Sequence, residues 1–260
     1  MKSITYLLLL FTTMTLAQSN ITAFQPGEKL TLTASYNMSG LMTDLAELTM
    51  QTSEVKTSKS TLLKLKCTAR TYSKWDNFFK IRDLYESYVN SNTLTPYLYQ
   101  RDINEGNYYK FVKYTFNHRT KTVKSLITKK AKIGGTYDQK ENITINSGTK
   151  DLVTTIYQLR NLDIHKASIG SSDTFTVLFD KKETKIKFTL LAKETINTKI
   201  GKKECYKIAI SVNDSDVLKG KNNNLLWLTA DKNKIPVYAK FKVAIGNGEL
   251  KIQSATGLKN

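Results

Sequence analysis

Histidine and cysteine are nearly missing from this sequence, at two each in 260 residues. A closed metal site needs three or four such ligands at short spacing. His118 and His165 stand far apart with no cysteine beside either, so neither a metal nor any other cofactor is expected. There is no G-x-S-x-G elbow, no Cys–His signature and no glycine pattern for nucleotide phosphates. The chain is therefore not expected to be an enzyme. Cys67 lies in phase with Leu63 and Leu65, whereas Cys205 runs out of phase with Ile208 and Ile210. Side chains on opposite faces cannot be bridged, so both thiols are expected free.

Proline is also scarce, at 3 residues, and no Ser/Gly-rich tract marks a linker. One domain is expected. Long apolar runs are absent as well. The run from Tyr6 to Phe11 follows Lys2 and ends in a small-residue exit at Thr15-Leu16-Ala17. It is too short to span a bilayer and has the layout of a secretory signal peptide. Residues 1–17 are thus expected to be removed and 18–260 exported to the periplasm or cell envelope, without a transmembrane segment. No cysteine follows the run to carry a lipid.

Acidic residues are few: 22 Asp and Glu face 40 Lys and Arg, a formal net charge of +18. Such an excess suits nucleic acid in a cytosolic protein, but export argues against that partner. The lysines alternate with apolar residues, as in Lys185-Ile186-Lys187 and Lys240-Phe241-Lys242. Lysine on the wet side of a strand keeps sheet edges apart. Attraction to anionic envelope polymers is the other use of this charge.

What the chain does have is a period of two. "LTLTASY" puts Leu30, Leu32, Ala34 and Tyr36 on one face. "LKLKCTA", "FTVLFD", "KIKFTL", "YKIAISV" and "VYAKFKVAI" alternate in the same way. Repeated alternation between polar turns means half-buried antiparallel strands. The expected fold is all-β: an antiparallel curved sheet or barrel with one or two short helices. "SKWDNFF" spaces Trp75, Phe78 and Phe79 as one or two helical turns, expected to pack on the sheet. "SGTKDLVTTIYQLRN" predicts a helix over 149–161 with Leu152, Ile156 and Leu159 inward. Asp151 at its start and Arg160 at its end suit the helix dipole.

Between Phe79 and Phe111 tyrosines crowd into a three-stranded meander, with turns at "NSN" and "INEGN". Pro96 cannot donate to a ladder, so it marks an edge or a bulge. Asp83 and Tyr85 share one face, Glu86 the other. Arg101 is expected to brace its turn through Asp102 or Glu105. Tyr85, Tyr97, Tyr99, Arg101 and Tyr109 are the candidate ligand-binding residues, since aromatic rows in a hollow sheet bind sugars or apolar ligands. Tyrosine also stabilises cross-strand pairs with no ligand present.

Several blocks resemble a bacterial exported family, the domain of unknown function 3108. They are Trp75-Asp76, Phe78-Phe79, "RDLYESYVN", "TLTP", "RDINEG", "PGEKL", "DLVTTIYQLR" and the terminal "LWLTADKNKIPV…GLKN". The resemblance implies an exported, mostly antiparallel β protein and supplies no catalytic residues. The first functional reading is non-catalytic binding of an envelope component: a lipid, a lipoprotein segment or a glycan. An assembly scaffold with a filled core comes second, and a hydrolase with an unrecognised site third.

Cleavage after Ala17 has a direct check. Sequencing of the protein recovered from its host should begin at Gln18, and a chain starting at Met1 would contradict the leader assignment.

Overall fold

The computed structural model describes residues 21–38, 40–212, 224–243 and 246–260. The leader assigned to residues 1–17, and Ile245 of the last alternating run, lie outside them. Half-buried alternation becomes fourteen strands among the described residues. The first eight are β1 (Lys29–Met38), β2 (Leu41–Lys56), β3 (Thr61–Thr71), β4 (Arg82–Asn90), β5 (Pro96–Glu105), β6 (Tyr108–Asn117), β7 (Thr122–Lys130) and β8 (Thr136–Thr144). One helix, α1 (Leu152–Arg160), separates them from β9 (Ser172–Phe179), β10 (Lys182–Thr198), β11 (Gly201–Val212), β12 (Leu225–Thr229), β13 (Pro236–Val243) and β14 (Gly246–Thr256).

All strands join one antiparallel sheet in the order β8-β7-β6-β5-β4-β3-β2-β1-β14-β13-β12-β11-β10-β9. Each strand pairs with its sequence neighbour, and the first strand pairs with the last. One seam stays open, between β8 and β9. The segment after β8 spans it. Lys150 N donates to Thr176 O at 2.9 Å, and Leu178 N donates to Lys150 O at 2.8 Å, a parallel bridge on the free edge of β9. Glu183 accepts from Asn146 N at 2.7 Å on the same segment. A covered edge cannot template pairing with another chain.

The helix lies against β3, β4 and β9. Its N-cap is Asp151, whose Oδ1 accepts from Thr154 N at 2.8 Å, while Oδ2 accepts from Ser87 Oγ at 2.6 Å. The element was legible and Leu159 is buried as expected, but the rest of the inward stripe is one residue round from the expected one. Val153, Tyr157 and Arg160 face the core, and Ile156 is exposed. The cause is Arg160, which a hydropathy pattern places in water. Here it is fully buried, with Nη1 and Nη2 donating to the two carboxylate oxygens of Glu28 at 2.7 and 2.8 Å. Nη2 also reaches Asn233 O at 3.0 Å, and Phe24 and Tyr157 flank the guanidinium.

Two apolar clusters result. The main one fills the inner face and includes Leu30, Leu65, Val112, Tyr157, Cys205 and Trp227. The second covers the outer face of β10–β12, where Phe188, Leu190, Ile208 and Leu228 pack under Leu159 and Ile164. Both cysteines are free. The face argument is corrected, however. Cys205 does oppose Ile208, yet Cys67 packs against the same inner cluster as Cys205. What separates them is the ladder, since β2, β1, β14, β13 and β12 lie between β3 and β11. Burial pushes the Cys67 thiol up to about 12 and that of Cys205 to about 11, so neither is a ready nucleophile.

The aromatic pair Phe78 and Phe79 also departs from expectation. A single 3₁₀ turn (Ser73–Trp75) forms, and both phenylalanines are exposed. The chain is held by bonds to its neighbours and not by burying these rings: Trp75 Nε1 donates to Asp44 O at 2.8 Å, and Gly106 N to Lys80 O at 2.8 Å.

The contrast sets two stability measurements. Glu28→Ala strands a buried guanidinium and should cost about 3–5 kcal/mol in a denaturant melt. Phe79→Ala, expected at core cost if its ring packed inside, should cost about 1 kcal/mol or less for a half-exposed ring. Equal losses would contradict these placements.

Candidate site on the inner wall of the tyrosine meander

Antiparallel register puts directly opposed residues on one face. Three inward rows therefore cross the meander: Ser87, Tyr99, Tyr114 and Ser125; then Tyr85, Arg101, Val112 and Ile127; then Asp83, Ile103 and Lys110. Of the five candidate residues, the structure brings Tyr85, Tyr99 and Arg101 together on this wall. Tyr109 pairs with Asn104 on the outward face. Tyr97 is the extra residue of the bulge between Pro96 and Leu98, exposed and edge-on to His118 at 6.4 Å. The bulge is where Pro96 required one.

Arg101 is only 4% exposed. Its partner is neither Asp102 nor Glu105. Asp102 follows it directly and so points to the other face, where Asn104 Nδ2 donates to it at 2.8 Å. The guanidinium instead meets Asp180, 79 residues away, and stacks over Phe179 at 4.5 Å. Lys110 Nζ donates to the same Asp180 oxygen at 2.7 Å. Burial works to raise the Asp180 carboxyl, but Lys110 and Arg101 outweigh it and hold the group below its ordinary value.

Asp180 and Lys181 form the two-residue tip of the β9–β10 hairpin, at φ of 43° and 70°. Such a turn favours Asn-Gly, because both positions are left-handed. With no glycine, the tip carries backbone strain. It is held by the wall: Lys181 N donates to Tyr114 Oη at 3.0 Å, and Lys181 Nζ pairs with Glu141 at 2.8 Å. Sequence reasoning missed Asp180 and Lys110. The available signal was a lone "DK" between the alternating runs "FTVLF" and "KETKIKF".

Three buried polar atoms on this wall have no hydrogen-bond partner: Tyr99 Oη, Arg101 Nε and Ser125 Oγ. Leaving such groups unpaired costs about 1–3 kcal/mol each. Beside them Asp83 and Glu105 hydrogen-bond to each other, an acid pair formed across strands. Asp83 also accepts from Asn104 N at 2.9 Å and from Tyr85. Burial raises both carboxyls, and the charge of Asp83 raises Glu105 further. The two histidines are engaged locally, His118 Nε2 with Pro96 O at 2.5 Å and His165 Nδ1 with Tyr206 Oη at 2.6 Å. Among the described residues no group of three His, Cys, Asp or Glu is placed to hold a metal ion.

The family described as "Protein of unknown function (DUF3108)" matches residues 32–253. No curated protein matches the chain. A crystal structure of a β-barrel-like protein of domain of unknown function DUF1849 from Brucella abortus is similar in fold. It has 10% identity and a TM-score of 0.52, covering 91% of this chain and 98% of that one. Two further solved structures align over 91% of this chain and 99% of theirs, each at 10% identity. They are a candidate exported protein with a YmcC-like fold from Bacteroides fragilis (TM-score 0.35) and a candidate lipoprotein from Parabacteroides distasonis (TM-score 0.33).

The acid pair makes stability depend on pH. A carboxyl whose folded pKa is raised stabilises fully below its ordinary value, and loses that contribution as pH rises through the folded value. For Glu105 the window opens above 4.5 and extends upward. Urea midpoints measured from there to neutrality should fall with pH in the native protein and fall less in Glu105→Gln. Identical slopes would show that the two carboxyls do not share a proton.

Proposed function

This protein belongs to the DUF3108 family, and from that premise we propose that it is exported and binds an envelope component without catalysis. The ligand carries a carboxylate or phosphate, and the inner wall around Arg101 receives it. Export is supported by the apolar run and small-residue exit at residues 6–17. The binding reading is carried by one observation: two buried cations, Arg101 and Lys110, share a single strained counter-charge, Asp180, which is itself 47% exposed. A ligand anion that replaces Asp180 would release the tip and meet Tyr99 and Ser125, whose hydroxyls lack partners. Buried unpaired donors reward a ligand that satisfies them. The acid pair hydrogen-bonds to itself and to Tyr85, which favours a bracing role over proton transfer.

The filled-core scaffold is the second reading. The observation in its favour is that the Asp180-Lys181 tip already occupies the hollow of the meander.

Mass spectrometry of lipids and glycans that co-purify from the native envelope separates the two. Arg101→Met keeps a comparable side chain over Phe179 and leaves Asp180 facing water, so stability should change by about 1–2 kcal/mol at most. Native protein should carry an anionic component that Arg101→Met lacks. The same component on both, or none on either, would favour the scaffold.

A further inference from the structure

We propose that one rim of the sheet is a docking surface for an anionic lipid membrane. The strand order fixes which loops share an end. Up-and-down pairing from β1 to β8 puts the β1–β2, β3–β4, β5–β6 and β7–β8 connections at one end. These are the loops that expose large apolar side chains: Leu41 at 74%, Phe78 at 77%, Phe79, Tyr108 and Ile133 at 97%. The opposite end differs. Its turns at 57–60, 91–95 and 118–121 are built from Ser, Thr, Asn, Lys, His and Arg, and their one leucine, Leu94, is buried. Scattered exposed apolar residues need no explanation, but a set gathered on one rim does.

The exposure is built and not a frayed end. Phe78 N and Phe79 N both donate to Trp75 O, at 2.9 and 2.8 Å, which fixes the two rings at the loop tip. Asp76, held by Thr71 Oγ1 at 2.6 Å and by Arg82, anchors that loop to β3 and β4. Phe79 rests on Gly106, so two loops present one apolar step. In the β7–β8 loop Ala131 N donates to Gly135 O at 3.0 Å. Gly134 and Gly135, at φ of 62° and 71°, let the chain turn tightly and leave Ile133 at its tip.

Charge selects the partner. Lys74, Lys80, Lys130 and Lys132 flank the apolar tips, are exposed and have no ion-pair partner among the described residues. The acid of these loops, Asp76, is already neutralised by Arg82. Apolar tips ringed by lysine match the boundary between acyl chains and anionic headgroups. No helix of the described residues is long and apolar enough to cross a membrane. The rim and the Arg101 wall share no residue, and either assignment stands if the other fails.

The test is co-sedimentation of the chain recovered from its host with vesicles. One set contains phosphatidylglycerol and phosphatidylcholine, the other phosphatidylcholine alone. Binding to the anionic vesicles, weakened by salt and accompanied by a blue shift of tryptophan emission from Trp75, is the expected result. Ile133→Asp and Phe78→Asp should each lower partitioning by about tenfold or more. The pair Lys130→Glu and Lys132→Glu should do likewise on anionic vesicles. Ile169→Asp changes an exposed apolar residue away from this rim and should leave binding intact. Thermal midpoints identify any variant that fails to fold. If Phe78→Asp does, Ile133→Asp decides, because its side chain touches almost nothing. Native protein left in the supernatant, rim variants that bind like native, or an equal loss in Ile169→Asp would each overturn the proposal. Self-association through the rim without vesicle binding would overturn it too.

Discussion

The ion pair between Arg160 and Glu28 is the constraint on which the arrangement turns. Each member is at most 1% exposed, and each would be prohibitive to bury alone. Together they force three distant segments to one point. Glu28 leads into β1, Arg160 ends α1, and Asn233 supplies a carbonyl from the β12–β13 turn. The tail joins them, since Asn260 N donates to Asn233 Oδ1 at 2.9 Å. Gly257 passes so close to Gly27 that a Cβ there would lie 2.2 Å from its carbonyl oxygen. The blocks "PGEKL", "DLVTTIYQLR", "TADKNKIPV" and "GLKN" thus meet in one buried polar knot. A hydrophobic replacement of similar volume can match such a pair in stability. What the pair adds is position: only one placement of α1 satisfies both charges.

That placement decides how the open seam is managed. With the end of α1 pinned beside β1 and its cap, Asp151, bonded to Ser87 on β4, the preceding segment must run along β9. The seam is then covered by backbone bonds from Lys150, and β9 is aligned so that its hairpin tip reaches the meander. Asp180 arrives at Arg101 as a consequence of strand order and register. Neither partner could be chosen from its local sequence.

Strands such as β3 were legible because one face is dry and the other wet, so a period of two survives in the sequence, whereas β8 has no dry face and leaves no such signal. The helix was legible through Asp151 and the change of period. Its rotation was not, because hydropathy counts Arg160 as solvent-facing and the residue that balances it lies 132 positions away. Arg101 failed for a related reason. Its neighbours Asp102 and Glu105 were the near acids, but alternation turns Asp102 outward, and Glu105 is occupied by Asp83. Phe78 and Phe79 have helical spacing without a helical role. Their loop is stabilised by main-chain bonds to β2 and to the β5–β6 turn, which no side-chain pattern reveals. The tyrosines divided between the two faces because the Pro96 bulge displaced Tyr97 and alternation placed Tyr109 outside.

Strand direction links the wall to the rim. The β9–β10 tip lies at the same end of the sheet as the loops bearing Phe78, Tyr108 and Ile133, since β9 runs antiparallel to β10 within the same ladder. Lys110 stands two residues from Tyr108 on β6, so the basic wall begins just inside the apolar rim. The anion that the tip supplies to Arg101 and Lys110 is the Asp180 carboxylate. The tip is the part of the wall with left-handed backbone at both residues and a half-exposed carboxylate. At the opposite end the chain instead closes on Arg160 and Glu28, whose two charges satisfy each other.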